Sequence, residues 1–261
     1  MDKVSSKQNA VFKELLNAAS HNSSTMAVAH GATVIKDLIK VHQPRTLIVR
    51  ESFDLAGSPL VTSILQTRFP GPVTRLTFAD SLFDELDPFG VPDLIAAFEK
   101  PACPFWRPEQ EPPEPTLLLA TQNPANLGAC LRSAVAFGFQ KVVTLKESAT
   151  PFHSKVIRSS MGAVFSLDMY RGPSINDLSD KDLSGLNLPI IALDLHGESI
   201  RTFQFPENPL FLIGEEGAGI PTQNSFTRLT IPMSPGIDSL NAAVSCSILL
   251  YEWSSRKTGI N

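Results

Sequence analysis

Apolar positions alternate between helical and strand-like spacing along nearly the whole chain. Val11, Leu15 and Ala18/Ala19 share one stripe of residues 6–19, which predicts an amphipathic helix. Val34, Ile35, Leu38 and Ile39 do the same for residues 32–41. Strands are predicted at 45–50 (RTLIVR) and 73–78, with a helix over 59–68 between them, so the first hundred residues read as a small α/β sandwich. The pattern then stops. Residues 101–115, PACPFWRPEQEPPEP, hold six prolines and predict an extended, semi-rigid linker without the donors to pair as a strand. Phe105 and Trp106 within it are expected to pin the linker to one domain. The division expected is 1–100, linker 101–115, and 116–261.

Beyond the linker the period alternates again. A strand at 116–120 (TLLLA), a helix over 129–137 and a strand at 141–145 make a βαβ unit, with Asn126 placed as the N-cap and Gly138 as the stop. A short helix at 152–158, a strand at 164–169, a polar helix at 174–183 and a strand at 190–195 follow. The last stretch, 210–253, reads as strand (Phe211, Leu212, Ile213), glycine turn (Gly214, Gly217, Gly219), short helix, strand at 228–233, tight loop, and a long helix opened by Ser239. Glycine turns at the ends of neighbouring strands bring backbone rather than side chains to a ligand.

Composition narrows the classes. With 22 basic and 26 acidic residues the net charge is −4, so a nucleic-acid partner would have to be met by a local patch. No run approaches the roughly 18 apolar residues of a membrane span, and the first residues lack a signal core. Three cysteines without pairing or metal spacing point to a reducing compartment, the cytoplasm, and to no metal site. The five histidines show no H-E-x-x-H spacing, and no G-x-S-x-G elbow is present.

Neither G-x-G-x-x-G after a domain's first strand nor a P-loop occurs. In GEEGAG (214–219) two carboxylates would repel a pyrophosphate, so a neutral or cationic adenosine ligand suits the turn better. Asn126, Arg132, Glu216, Ser239 and Asn241 all fall at strand ends or in the first turns after them. Singly they read as a cap, a surface charge and turn residues; jointly they form a candidate site. Lys155, Arg158 and Ser160 carry phosphate-contact chemistry, or else form an ordinary exposed helix face. Residues 25–31 and 151–160 are the expected surface for a large polyanionic partner, should the chain have one.

The segments NPANLGACLRS (123–133), S-x-G-A (160–163), LIGEEGAGI (212–220) and IPMSPGIDSLN (231–241) resemble, in order and spacing, the motifs of the SpoU/TrmH branch of the SPOUT RNA methyltransferases. The resemblance covers about 114–255. It implies an α/β class with a C-terminal SPOUT parallel sheet closed by a trefoil knot, preceded by a small α/β/α ribosomal-protein-like substrate-binding domain. That first domain carries His30-Gly31 where Glu-Gly is usual. The resemblance further implies S-adenosylmethionine as cofactor, touched by Gly214, Gly219, Ile231 and Leu240 and packed by Met233 and Leu212. Asn126, Arg132, Glu216, Ser239 and Asn241 match the catalytic positions, with Arg132 contacting the target phosphate and ribose. Lys155, Arg158 and Ser160 would contact RNA, tRNA or rRNA, methylated at a ribose 2′-hydroxyl. A homodimer is implied, its close helix approach favoured by Ala242, Ala243, Ser245 and Ser247. The alternative is a non-catalytic RNA-binding protein of the same fold.

Overall fold

The computed structural model describes the chain except residues 21–24, 92, 108, 110–112, 179–189, 215–218, 222–225, 237–238 and 259–261. The chain forms two compact units, Met1–Pro101 with Phe152–Phe165, and Ala102–Pro151 with Ser166–Asn261. The grouping departs from the sequence division at 152–165, which pack with the first unit.

The first unit holds a mixed five-stranded sheet of order β1-β4-β3-β5-β2. Its strands are β1 (Asp2–Val4), β2 (Met26–His30), β3 (Pro44–Arg50), β4 (Thr74–Phe78) and β5 (Leu94–Glu99). β5 runs antiparallel to both β2 and β3. Helices α1 (Ala10–Ser20), α2 (Ala32–Leu38), α3 (Pro59–Gln66) and α4 (Asp80–Leu86) belong to it, together with residues 152–165. Asn9 caps α1, its side-chain oxygen accepting from the backbone N–H of Val11 at 2.9 Å. The buried stripe of α1 centres on Phe12, Leu15 and Ala18; Val11 is only partly covered.

β1, β2, β5 and α4 were not legible as elements in the sequence. MAVAH and LIAAFE are alanine-rich, and alanine is depleted in strands, so only burial on both faces stabilises them there. The expected contact surface at 25–31 is overturned for Met26–His30, every residue of which is buried.

His30 and Asp87 form a buried polar pair in this unit, with His30 Nδ1 3.5 Å from Asp87 Oδ1. That separation is within ion-pair range and outside hydrogen-bond geometry, and both ring nitrogens lack a hydrogen-bond partner among the described residues. The imidazole also stands edge-on to Phe89 at 5.1 Å. Burial works to raise the Asp87 carboxyl, but the His30 ring and the N–H groups of Phe89 and Val91 outweigh it and hold the group below the usual carboxylate range. A carboxyl lowered on folding stabilises above its unfolded value of about 3.9, and that stabilisation is lost as pH falls through the lower folded value. Urea unfolding at pH 7 and pH 3 should therefore show a smaller acid loss for Asp87→Asn than for the wild type. At pH 7 the variant should be about 1–3 kcal/mol less stable, the range for a disrupted buried polar contact. An equal acid loss in both proteins would refute the role of Asp87.

The second unit is a six-stranded sheet of order β11-β9-β10-β6-β7-β8, parallel at every pairing. β6 (Thr116–Leu119), α5 (Pro124–Ala136) and β7 (Lys141–Thr144) form the expected βαβ unit. Gly138, at φ 81°, ends the helix as predicted. The chain then contributes α6 (Ser154–Ser159) to the first unit, where it packs on β2. It returns as β8 (Asp168–Arg171), because 163–166 form a 3₁₀ turn rather than the start of a strand. A 3₁₀ turn at Ile175–Asp177 stands in part of the predicted polar helix, whose remainder from 179 lies outside the described residues.

β9 (Ile190–Ser199), β10 (Leu210–Ile213), β11 (Thr227–Thr230) and α7 (Ala242–Thr258) complete the unit. The linker does pair: Trp106 N–H donates to Arg171 O and Arg171 N–H to Pro104 O, both at 2.8 Å. Trp106 is buried in the sheet core with Leu118 and Val143, as expected of a pin, whereas Phe105 is exposed.

Strand order reverses between β6 and β10, since the chain steps outward from β6 on one side and returns to its other side. Such a reversal opens a crevice beyond the carboxyl ends of the strands. The trefoil knot expected of the C-terminal stretch would involve 215–218, 222–225 and 237–238, outside the described residues.

Candidate functional site

A cavity of about 620 Å³ opens at that crevice. β9 lines it with Leu193, Asp194 and Leu195, and the end of β10 with Ile213 and Gly214. Gly219 and Ile220 follow, then Thr230 at the end of β11 and Ile231 and Met233 beyond it. Ser239, Leu240 and Asn241 precede α7, and Asn126 comes from the start of α5. Asp194 is the single charged side chain among the described lining residues.

Gly214 shows why this position needs glycine. A Cβ there would lie 2.6 Å from Ile220 Cγ1 and 2.9 Å from Gly219 O. Gly219 itself sits at φ 70°, in the left-handed region that side chains disfavour. Both glycines line the cavity.

Two asparagines join the helix starts. Asn241 Nδ2 donates to Asn126 Oδ1 at 3.1 Å, while Asn241 Oδ1 accepts from the N–H groups of Ala243 at 2.9 Å and Val244 at 3.3 Å. Asn241, not Ser239, therefore caps α7. Asn126 is likewise not a cap: Asn123 Oδ1 accepts from Ala125 N–H at 2.8 Å, and Pro124 takes the first helical position. α5 thus begins earlier than predicted, which places Asn126 in its first turn beside the cavity. Farther along, the hydroxyls of Ser133 and Ser247 meet at 2.7 Å. Below them Cys130 and Cys246 are fully buried, and the Cys130 side chain together with burial pushes the Cys246 thiol well up, which disfavours its thiolate.

Of the residues singled out in the sequence, Asn126, Ser239, Asn241, Gly214, Gly219, Ile231, Met233 and Leu240 share this cavity. Leu212 does not line it; it is buried in the sheet core. Arg132 lies on the exposed side of α5, outside the lining, and Glu216 lies outside the described residues. Lys155 is exposed on α6 in the first unit, and Arg158 stacks over Phe89 at 4.8 Å. Ser160 is fully buried with its hydroxyl donating to Ile157 O at 3.1 Å, which removes it from any contact surface. Sequence reasoning missed Leu193, Asp194, Leu195 and Thr230. The available signal was an aspartate interrupting the apolar run IIALDL near a strand end.

The model of the SpoU rRNA Methylase family matches residues 116–251. The chain belongs to the SpoU rRNA methylase family. Its SpoU region contains the whole cavity. Among similar proteins, the ribosomal RNA small subunit methyltransferase G 2 of Syntrophobacter fumaroxidans is 37% identical over 71% of this chain and 36% of that protein. The 23S rRNA (uridine(2479)-2'-O)-methyltransferase of Streptomyces viridochromogenes is 33% identical over 62% of this chain and 59% of its own length. This SpoU chain therefore spans between about a third and three fifths of these two curated relatives. The SpoU methyltransferase AviRb of Streptomyces viridochromogenes, solved with its cofactor AdoMet, superposes with a TM-score of 0.74 at 25% identity, covering 96% of this chain and 100% of that one. The parallel sheet of the second unit is accordingly a SPOUT-type α/β sheet.

Proposed function

We propose that this chain is an S-adenosylmethionine-dependent RNA methyltransferase acting on a ribose 2′-hydroxyl of rRNA or tRNA in the cytoplasm. The observation that carries the reading is the cavity at the strand-order reversal, lined by Gly214 and Gly219 and by Ser239, Leu240 and Asn241 ahead of α7, with the Asn126–Asn241 pair among its lining residues. The cradle suits an adenosine cofactor, because a Cβ at Gly214 would crowd Ile220 and Gly219. When bound, S-adenosylmethionine supplies an electrophilic methyl group on a sulfonium. The chain's own contribution is positional: backbone groups hold the cofactor, Asn126 and Asn241 fix the helix starts around it, and Arg132 binds the target phosphate and ribose. An arginine of pKa above ~12 orients and stabilises charge rather than taking a proton. Glu216 and Ser239 complete the proposed polar set. The resemblance that supports the reading also carries the trefoil knot.

We further propose a homodimer. Val135 on α5 is 36% exposed, and Val244 and Tyr251 on α7 are 47% and 56% exposed. Phe137 meets Tyr251 at 6.0 Å, so the two helices share one apolar surface. Arg132 lies one turn from Val135 and would reach the site of a second copy rather than its own. Lys155 and Arg158 are proposed to meet RNA from the first unit.

Transfer of tritium from labelled S-adenosylmethionine into total RNA, followed by mapping of alkali-resistant linkages, tests the activity. Incorporation at an alkali-resistant position is expected. Cofactor binding without transfer into any RNA would leave a binding protein. Sedimentation tests the dimer: Val244→Glu with Tyr251→Glu should shift the protein to monomer and abolish transfer.

A further inference from the structure

β9 and β11 do not pair regularly, and the irregularity falls at the cavity wall. Arg228 pairs with Ala192, but the next residue, Leu229, pairs with Glu198. Residues 193–197 of β9 therefore have no register partner on β11, although Leu193 still pairs with Ile213 of β10, and three of them, Leu193, Asp194 and Leu195, line the cavity. Bulges beside sites re-aim side chains in this way. The irregularity closes on Gly197, where a Cβ would lie 2.3 Å from the carbonyl oxygen of Arg228. Only glycine admits that approach.

Arg228 then ties this wall to another. One arm of its guanidinium pairs with Asp194 Oδ2, and the other donates to Pro221 O at 2.7 Å. Pro221 directly follows Gly219 and Ile220, which line the cavity. Asp194 is held from its other oxygen by the N–H of Leu195 at 2.6 Å. The ion pair is about one-fifth exposed on each side, so it is screened less than a surface pair. Nothing in the motif resemblance pointed to either residue.

We infer that Arg228 is a positioning residue which, by bridging Asp194 and the Pro221 carbonyl, sets the spacing between the irregular part of β9 and the Gly219–Ile220 wall, and thereby the affinity for the adenosine cofactor. The inference rests on the cavity being the S-adenosylmethionine site. A planar fork can satisfy a carboxylate and a carbonyl at once, whereas a lysine ammonium reaches one partner and lets the other drift.

Isothermal titration with S-adenosylmethionine and steady-state methyl transfer into total RNA by the 261-residue chain test it together. Arg228→Lys should raise Kd and KM for the cofactor about tenfold while kcat at saturating cofactor stays within about twofold, the pattern of lost uniform binding. Asp194→Asn, nearly isosteric, should raise Kd several-fold, and adding it to Arg228→Lys should cost less than the two separate effects combined. A purely structural role would instead lower the unfolding midpoint and kcat without that split. Wild-type protein that does not bind S-adenosylmethionine overturns the cavity reading and the inference with it. Wild-type binding with an unchanged Kd in both single variants overturns the inference alone.

Discussion

Arg132→Ala is expected to lower methyl transfer at least ~10²-fold, the scale seen when a group that stabilises transition-state charge is removed, and to leave S-adenosylmethionine affinity within about twofold of wild type. The separation follows from where the residue sits. Its side chain is on the exposed side of α5, outside the cavity lining, so cofactor contacts do not depend on it. A 2′-hydroxyl is a weak nucleophile at neutral pH, and its alignment with the methyl group depends on whatever grips the neighbouring phosphate. A guanidinium does this in two-pronged fashion, and alanine leaves nothing in its place. Arg132→Lys should recover only part of the rate, because the charge returns without the fork. Retained turnover in Arg132→Ala would refute the assignment.

Gly214→Ala is expected to abolish measurable cofactor binding, a loss of about 100-fold or more, which corresponds to about 2.7 kcal/mol. The added methyl group would stand 2.6 Å from Ile220 Cγ1, 2.9 Å from Gly219 O and 3.0 Å from Gly219 C. Two of those atoms are backbone, so relief requires moving the main chain of Gly219, which lines the cavity. Gly57→Ala is the control, since its Cβ would meet the end of the Asp54 side chain, which can swing away. Titration calorimetry on both variants checks the prediction, and full binding by Gly214→Ala would refute the cradle.

The two variants also test each other. If Arg132 serves the cavity of the second copy, an equimolar mixture of Arg132→Ala and Gly214→Ala chains, exchanged and reassembled, contains mixed dimers with one intact site. Random pairing makes half the dimers mixed with one of two sites working, so about a quarter of wild-type activity should return. If Arg132 acts on its own subunit, the mixture stays inactive.

Several local features were legible without coordinates because they depend on neighbouring residues only. The apolar period of α2, the RTLIVR strand, the glycine stop after α5 and the LFLI strand arise from side-chain alternation and from one residue's backbone freedom. Motif order likewise announced the family, and eight of the named site residues do meet in one cavity. Helix starts were misjudged where two polar residues competed. Asn123 and Asn126 both suit a cap, as do Ser239 and Asn241, and the cap is whichever side-chain oxygen lies within reach of the first helical N–H groups, Asn123 for α5 and Asn241 for α7.

What the sequence alone determined is the alternation of elements over much of the chain and the family. What only the tertiary structure decided is which residues turn toward the cavity. The irregular part of β9 that brings Asp194 to the wall, the fork of Arg228 that holds it, the burial of Ser160 and the packing of α6 on β2 all depend on pairings between segments far apart in the chain. Local propensity carries no information about such pairings, because the energy that selects them comes from surfaces that meet only after folding.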